Sequence, residues 1–281
     1  MPIGNDNLIY KYYAPNEYNL DALLNHYFWF SKRECLNDPF DIGNFEKGKQ
    51  SQSLHNKLFL KFILDLGISE TGAQSLIPEY AICSFSRNEL NKQMWAYYAK
   101  DYSGWCLAFK RGKLNISSAS PLLPVIYVDD SLNPIKTIDD TIYGNDPIER
   151  GIRQLFCKKH QSWLHEEEER IILKTRANRK GEKRDWDTFE LDHITLGNIN
   201  RINSPYRNII LTIAQAFNVD VYEIDLSQTD FQLTKKLIQS KVNTKIPHPA
   251  TVHWRGEFFI FFLLVSMLVF KHSFVKRKGE N

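Results

Sequence analysis

Residues 162–173 read SWLHEEEERIIL, so four glutamates and an arginine stand between a tryptophan and a run of aliphatics. If this were the tail of a helix, the glutamates would be solvated and would sit at the wrong pole of the helix dipole. The β-branched run that follows favours a strand, and residues 166–173 are read as a helix-to-strand junction. On a strand, Glu166, Glu168 and Arg170 share one face, and Glu167 and Glu169 share the other with Ile171 and Leu173. Two carboxylates ~7 Å apart repel by roughly 2 kcal/mol at an effective dielectric near ~20, which Arg170 on the same face would offset. Such a triplet raises one carboxylate's pKa or orients it, as a general base or a ligand-binding acid requires. Glu166, Glu168 and Arg170 are therefore candidate catalytic residues, with structural ion pairing as the alternative. Glu167 and Glu169 are expected to be bystanders.

Outward from this stretch, short strands mix with separate helices. LIYKYY (8–13), YFWFS (27–31), YAICSFS (80–86), WCLAFK (105–110), PVIYVDD (124–130) and DVYEIDL (220–226) read as strands. A turn and a short helix are expected over 14–26, and further helices over 53–66 with Leu54, Leu58, Phe62 and Leu66 at helical spacing, over 87–100, over 146–165 and at about 204–217. Asp146 and Pro147 suit the cap and first turn of the fourth. Residues 176–187, RANRKGEKRDWD, read as a charged loop. Without regular β-α alternation, the pattern predicts an α+β fold. A single domain over residues 1–245 is expected to carry a mixed or antiparallel sheet and several helices. A C-terminal appendage, 246–281, follows with an apolar helix.

The 281 residues carry 36 basic and 33 acidic side chains, a net +3 that lacks the strongly basic signature of a nucleic-acid binder. An apolar content of 43% supports a sizeable core. Cys35, Cys83, Cys106 and Cys157 form no C-x-x-C pair, so no zinc site is expected. The opening MPIGNDNLIYKYY has no basic-then-apolar leader, which leads to a cytoplasmic expectation with reduced thiols. The apolar run 258–270 would span roughly 20 Å as a helix, short of the ~30 Å hydrocarbon core. It offers a membrane contact or a docking helix for a partner.

Other constellations are weaker. NDPFD (37–41) gathers Asn37, Asp38 and Asp41 in a turn, either to bond its own backbone or to wall a ligand. Ser84 and Ser86 precede the helix over 87–100. Ser86 could cap that helix with Glu89 as a capping box. Trp95, Tyr97, Tyr98 and Trp105 form either core or a stacking surface. The basic residues Lys174, Arg176, Arg179, Lys180, Lys183 and Arg184 could touch phosphates. No dinucleotide fingerprint, P-loop, nucleophile elbow or H-E-x-x-H occurs.

The segments YKYYAPN, YFWFSKRECLNDPFD, CSFSRNELNKQMWAYYAKDYSGWCLAF, VIYVDD and KHQSWLHEEEERIIL occur in that order. Together, over roughly residues 8–200, the chain resembles a bacterial and phage family known as domain of unknown function 2971. That resemblance implies a cytosolic α+β domain, and its W-x-x-E-x-E-x-R pattern falls on Trp163, Glu166, Glu168 and Arg170. It brings no established activity.

In order and residue type the chain is similar to the ADP-ribosyltransferases, which pair an early strand, a serine-bearing strand and a late catalytic glutamate. This similarity implies an enzyme with a small nucleotide-like ligand, NAD as its substrate, and a place in defence or toxin systems. Tyr10 or Lys11, Ser84 or Ser86, and Glu168 would fill the three roles. Trp95 or Tyr98 would stack on the nicotinamide. The alternative is a non-catalytic binding or regulatory domain with a structural Glu-Glu-Arg cluster. A metal-dependent nuclease using Asp38, Asp41, Glu166 and Glu168 is a third reading.

Overall fold

The computed structural model describes residues 7–38, 41, 69, 80–111, 121–129, 156–175, 180–187, 190–198, 200–202, 204–227 and 229–242. The helix expected over 53–66, residues 146–155 and the apolar run 258–270 lie outside them. Among the described residues, no helix is long and apolar enough to cross a membrane.

The chain opens with β1 (Leu8–Tyr13), α1 (Glu17–Leu24) and β2 (Tyr27–Ser31), then a short 3-10 turn at Arg33–Cys35. β3 (Tyr80–Ser86), α2 (Lys92–Tyr97), β4 (Trp105–Lys110), β5 (Leu122–Pro124), β6 (Ile126–Val128) and β7 (Lys158–His160) follow. A 3-10 helix, Gln161–Glu166, leads into β8 (Glu168–Lys174), β9 (Gly181–Asp185), β10 (Leu191–Leu196), α3 (Ser204–Phe217), β11 (Asp220–Leu226) and β12 (Leu233–Gln239). One large sheet runs β12-β11-β10-β4-β1-β3-β2-β9, and β8 and β5 branch from β3. The β10–β11 pair is parallel and the other pairs of this sheet are antiparallel, so the fold is α+β with a mixed sheet. β6 and β7 form a separate parallel pair.

The central strands are buried on both faces, and alternation sorts their side chains. Ile9 and Tyr13 of β1 and Trp105, Leu107 and Phe109 of β4 enter the larger core. Ile210, Ile213 and Ala214 of α3 join it at helical spacing. Tyr10 and Tyr12, with Cys106 and Ala108, enter a second core on the opposite face around Trp95. Asn16 caps α1, its Oδ1 accepting from the Asn19 N–H at 2.8 Å.

Two expectations are corrected here. The helix foreseen over 146–165 does not continue through residues 158–166, which form β7 and the 3-10 helix. The loop foreseen over 176–187 contains β9, which pairs with β2 from Tyr27↔Asp185 to Ser31↔Gly181. Its charges hide the strand because β9 is a sheet edge, where charged side chains are tolerated and guard against further pairing. A Cβ at Gly181 would meet the Phe30 carbonyl oxygen at 2.3 Å and the Trp29 ring at 2.6 Å, so only glycine lets the two strands approach beneath Trp29.

The feature that positions the site is a split. β3 pairs with β8 along its whole length, from Tyr80↔Lys174 to Ser86↔Glu168. Its other edge meets β1 only at Tyr10↔Ser86 and β2 only at Ser31↔Ile82. Between those two points β1 and β2 part, leaving the middle of β3 open.

Candidate functional site

A cleft of about 290 Å³ lies at this split. β1 contributes Tyr10 and Lys11, β2 contributes Trp29 and Ser31, and β3 contributes Ser84 and Ser86. Cys35, Asn37 and Asp41 come from the segment after β2, Tyr98 ends α2, and Lys159, Glu166 and Glu168 close the far wall. The NDPFD, CSFS and EEEER segments therefore meet in one place, although 41 residues separate the first from the second and 79 the second from the third.

Behind the wall lies a continuous polar network. The Arg170 guanidinium, fully buried, donates to both Asp41 oxygens at 2.8 and 2.6 Å and to both Glu168 oxygens at 2.7 and 2.9 Å. It also donates to the Phe156 carbonyl at 2.6 Å. Lys159 Nζ lies 2.5 Å from Glu166 Oε2, 3.2 Å from Glu168 Oε2 and 3.8 Å from Asp41 Oδ2. It also rides 4.8 Å above the Trp163 ring. The other Glu166 oxygen accepts from the Tyr98 hydroxyl, which in turn accepts from Asn37 Nδ2 at 3.0 Å.

Three carboxylates face two cations, so the network carries one net negative charge when every member is ionised. Burial opposes the charge of Glu168, but the Arg170 guanidinium and then Lys159 outweigh it, and its pKa is held down to about 2. Glu166 goes the other way. Burial is the dominant cause, the Glu168 charge adds to it, and Lys159 only partly compensates, so the pKa is raised. Burial, and then the neighbouring Glu166, push the Tyr98 hydroxyl well above its ordinary range. The two glutamates are thus shifted in opposite directions, Glu168 down and Glu166 up.

The glutamates divide differently from the strand alternation expected. Glu166 ends the 3-10 helix, Glu167 is left-handed at φ 45° and ψ 49°, and the strand begins at Glu168. That reversal still turns Glu166 and Glu168 toward one ammonium. The Arg87 N–H donates to the Glu167 carbonyl at 3.0 Å, and Asn88 Nδ2 donates to its Oε1 at 3.0 Å. Asn91 Nδ2 donates to the His165 carbonyl. Glu169, expected to be a bystander, is buried and takes both ends of the Arg111 guanidinium at 2.6 and 2.9 Å.

Several other expectations are corrected. Trp95 is fully buried, donates its indole N–H to the Glu89 carbonyl at 2.8 Å and packs edge-on to Tyr12, so it cannot stack on a ligand. Ser86 does not cap α2. Asn91 does, its Oδ1 accepting from the Gln93 and Met94 N–H groups. Asp38 is buried beside the cleft and does not line it; its carbonyl accepts from the Asp41 N–H at 3.1 Å. The nuclease reading fails because the Lys159 ammonium sits among the carboxylates that a divalent ion would need.

Lys159 and Trp29 escaped the sequence reading. Lys159 is one of two adjacent lysines with no spacing signal. Trp29 was legible in principle, because strand alternation in YFWFS sends Phe28 and Phe30 to the core and leaves Trp29 on the open face.

A second buried cluster joins the loop after β3 to β10 and β12. One Glu89 oxygen accepts from Thr195 Oγ1 and lies 2.9 Å from His193 Nε2, and the other lies 2.5 Å from Lys235 Nζ. His193 Nδ1 lies 2.9 Å from Asp192 Oδ2. Burial opposes the Glu89 charge, but His193 and Lys235 prevail and hold the pKa down to about 2.

No curated protein and no solved structure matches the chain. Residues 94–171, from Met94 in α2 to Ile171 in β8, match the model of a family described as "Protein of unknown function (DUF2971)". The match takes in Tyr98, Lys159, Glu166, Glu168 and Arg170.

Proposed function

We propose that the chain is an enzyme that binds a nucleotide-like ligand, with NAD as the leading candidate, and transfers or hydrolyses its glycosidic bond. The observation that supports this is the convergence of β1, the serine-bearing β3 and the Glu166–Glu168 junction on one cleft. Trp29, 40% exposed at the rim, offers a ring face for a base, the task that Trp95 cannot perform.

In this reading the C1′–N bond breaks and its electron pair leaves with neutral nicotinamide. Positive charge then develops on the ribose beside a network that is itself net negative, which stabilises the transition state more than the ground state. The acceptor oxygen bonds to C1′, and its proton passes through the Tyr98 hydroxyl to Glu166. Glu168, with both oxygens held by Arg170, keeps its charge and orients the wall; Glu166 handles the proton.

A second reading has its own support. Asp41, Arg170 and Glu168 satisfy one another so completely that they would also serve as a structural ion cluster in a non-catalytic binding or regulatory domain. Mass-spectrometric detection of NAD consumption by purified protein separates the two. The enzymatic reading expects Glu166→Gln to lower turnover by roughly 10²-fold or more, the usual weight of a general base, with the unfolding midpoint unchanged. The structural reading expects no turnover in any form, and a loss of stability in Glu168→Gln.

A further inference from the structure

The burial patterns of β1 and β3 each break at one inner position. Lys11 is the one residue of β1 that is not buried, and Ser84 the one interior residue of β3. These two residues are bonded to each other, Lys11 Nζ donating to the Ser84 carbonyl at 2.9 Å across the split. In an extended strand the N–H and C=O of one residue point to the same edge, and neighbouring residues alternate. The direction of the Ser84 carbonyl therefore fixes that of its N–H, which also faces the gap between β1 and β2.

A lysine ammonium has three donors and no acceptor. Lys11 spends one on Ser84, and its charge lies 5.2 Å above the Phe85 ring and 5.8 Å above the Tyr13 ring. The carboxylates of the cleft, Asp41, Glu166 and Glu168, are bonded to Arg170, Lys159 and Tyr98, and none of them forms an ion pair with Lys11. The split thus carries a cation and an inward-facing backbone N–H side by side, where a missing strand would otherwise have supplied a carbonyl. A tetrahedral oxyanion fits that pair of donors.

We infer that the open edge of β3 at Ser84, together with the Lys11 ammonium, is a phosphoryl subsite, so the cleft takes a ligand that carries a phosphate or diphosphate. This rests on the cleft being a ligand site and not on the glycosidic chemistry. Adenosine would lack the group, inorganic pyrophosphate would supply it alone, and adenosine monophosphate or ADP-ribose would supply it on a nucleotide.

Equilibrium binding by calorimetry, with unmodified protein and no turnover, tests this separately from NAD consumption. The expected result is that adenosine monophosphate and ADP-ribose bind at least tenfold tighter than adenosine. Pyrophosphate should compete with them and should slow alkylation of Cys35, the exposed cleft cysteine. Lys11→Met, which keeps the apolar stem, should abolish the preference, and Lys11→Arg should keep most of it. If Lys11→Met fails to fold, the wild-type preference and its weakening with added salt still decide the matter. Equal binding of adenosine and its monophosphate, or a preference that survives in folded Lys11→Met, overturns the subsite. Binding of pyrophosphate without preference for either nucleotide would also overturn it as a nucleotide site.

Discussion

Arg170 and Asp41 meet in a two-point pair, at 2.8 and 2.6 Å, across 129 positions of sequence. The pair ties the segment after β2 to β8 at the wall of the cleft. Because Arg170 also satisfies both oxygens of Glu168, its removal would leave two buried carboxylates without their main partner. Arg170→Met should cost on the order of 3–5 kcal/mol, read from urea unfolding. A loss below about 1 kcal/mol would mean that the network is open to water.

Lys159 is the one ammonium shared by Glu166 and Glu168. Lys159→Met should raise the pKa of Glu166 further, since burial and Glu168 would then act unopposed by the lysine. The protonated-carboxyl band of Glu166 in infrared difference spectra should persist to higher pH than in the unaltered protein, and vanish in Glu166→Gln. A band that titrates at the same pH in both forms would show that Lys159 does not govern this carboxyl.

The acid limb of stability should depend on Glu89. Its folded-state pKa of about 2 lies below the ordinary 4.5, so it contributes stability that is present above pH 4.5 and lost as pH falls toward 2. Across that window the loss is on the order of 3 kcal/mol, and Glu89→Gln should flatten it. His193, raised above 6.5 because Asp192 and Glu89 overcome its burial, has the opposite sign: its contribution is complete below pH 6.5 and is lost as pH rises. Unfolding midpoints from pH 2 to 9 for the unaltered protein, Glu89→Gln and His193→Gln check both limbs.

Gly181→Ala should both destabilise and reshape the cleft rim. The new methyl would collide with the Phe30 carbonyl and the Trp29 ring, so β9 must shift and Trp29 must turn. A lowered unfolding midpoint together with a changed Trp29 emission, assigned by comparison with Trp29→Phe, is the expected result. An unchanged emission would place the strain in the backbone alone.

Much of the fold was legible because it is written locally. The 204–217 helix has its apolar residues at helical spacing, and the strands 8–13, 27–31, 80–86 and 105–110 are dense in β-branched and aromatic residues. β9 was missed because an edge strand need not be apolar. The end of the supposed 146–165 helix was missed because buried Lys159 reads as a surface residue until its three carboxylate neighbours are known. Trp95 was assigned to the ligand because an aromatic on a helix carries no sign of which way it faces.

By itself the sequence marked Glu166, Glu168 and Arg170 as candidates, because a short spacing on one segment limits where side chains can go. It also singled out the NDPFD and SFS segments as candidates. Only the tertiary structure decided that these segments meet, since the parting of β1 and β2 along β3 is a matter of long-range pairing that no local pattern encodes. The same long-range contacts set the two carboxyls apart: Arg170 holds the Glu168 pKa down, whereas burial beside Glu168 raises that of Glu166.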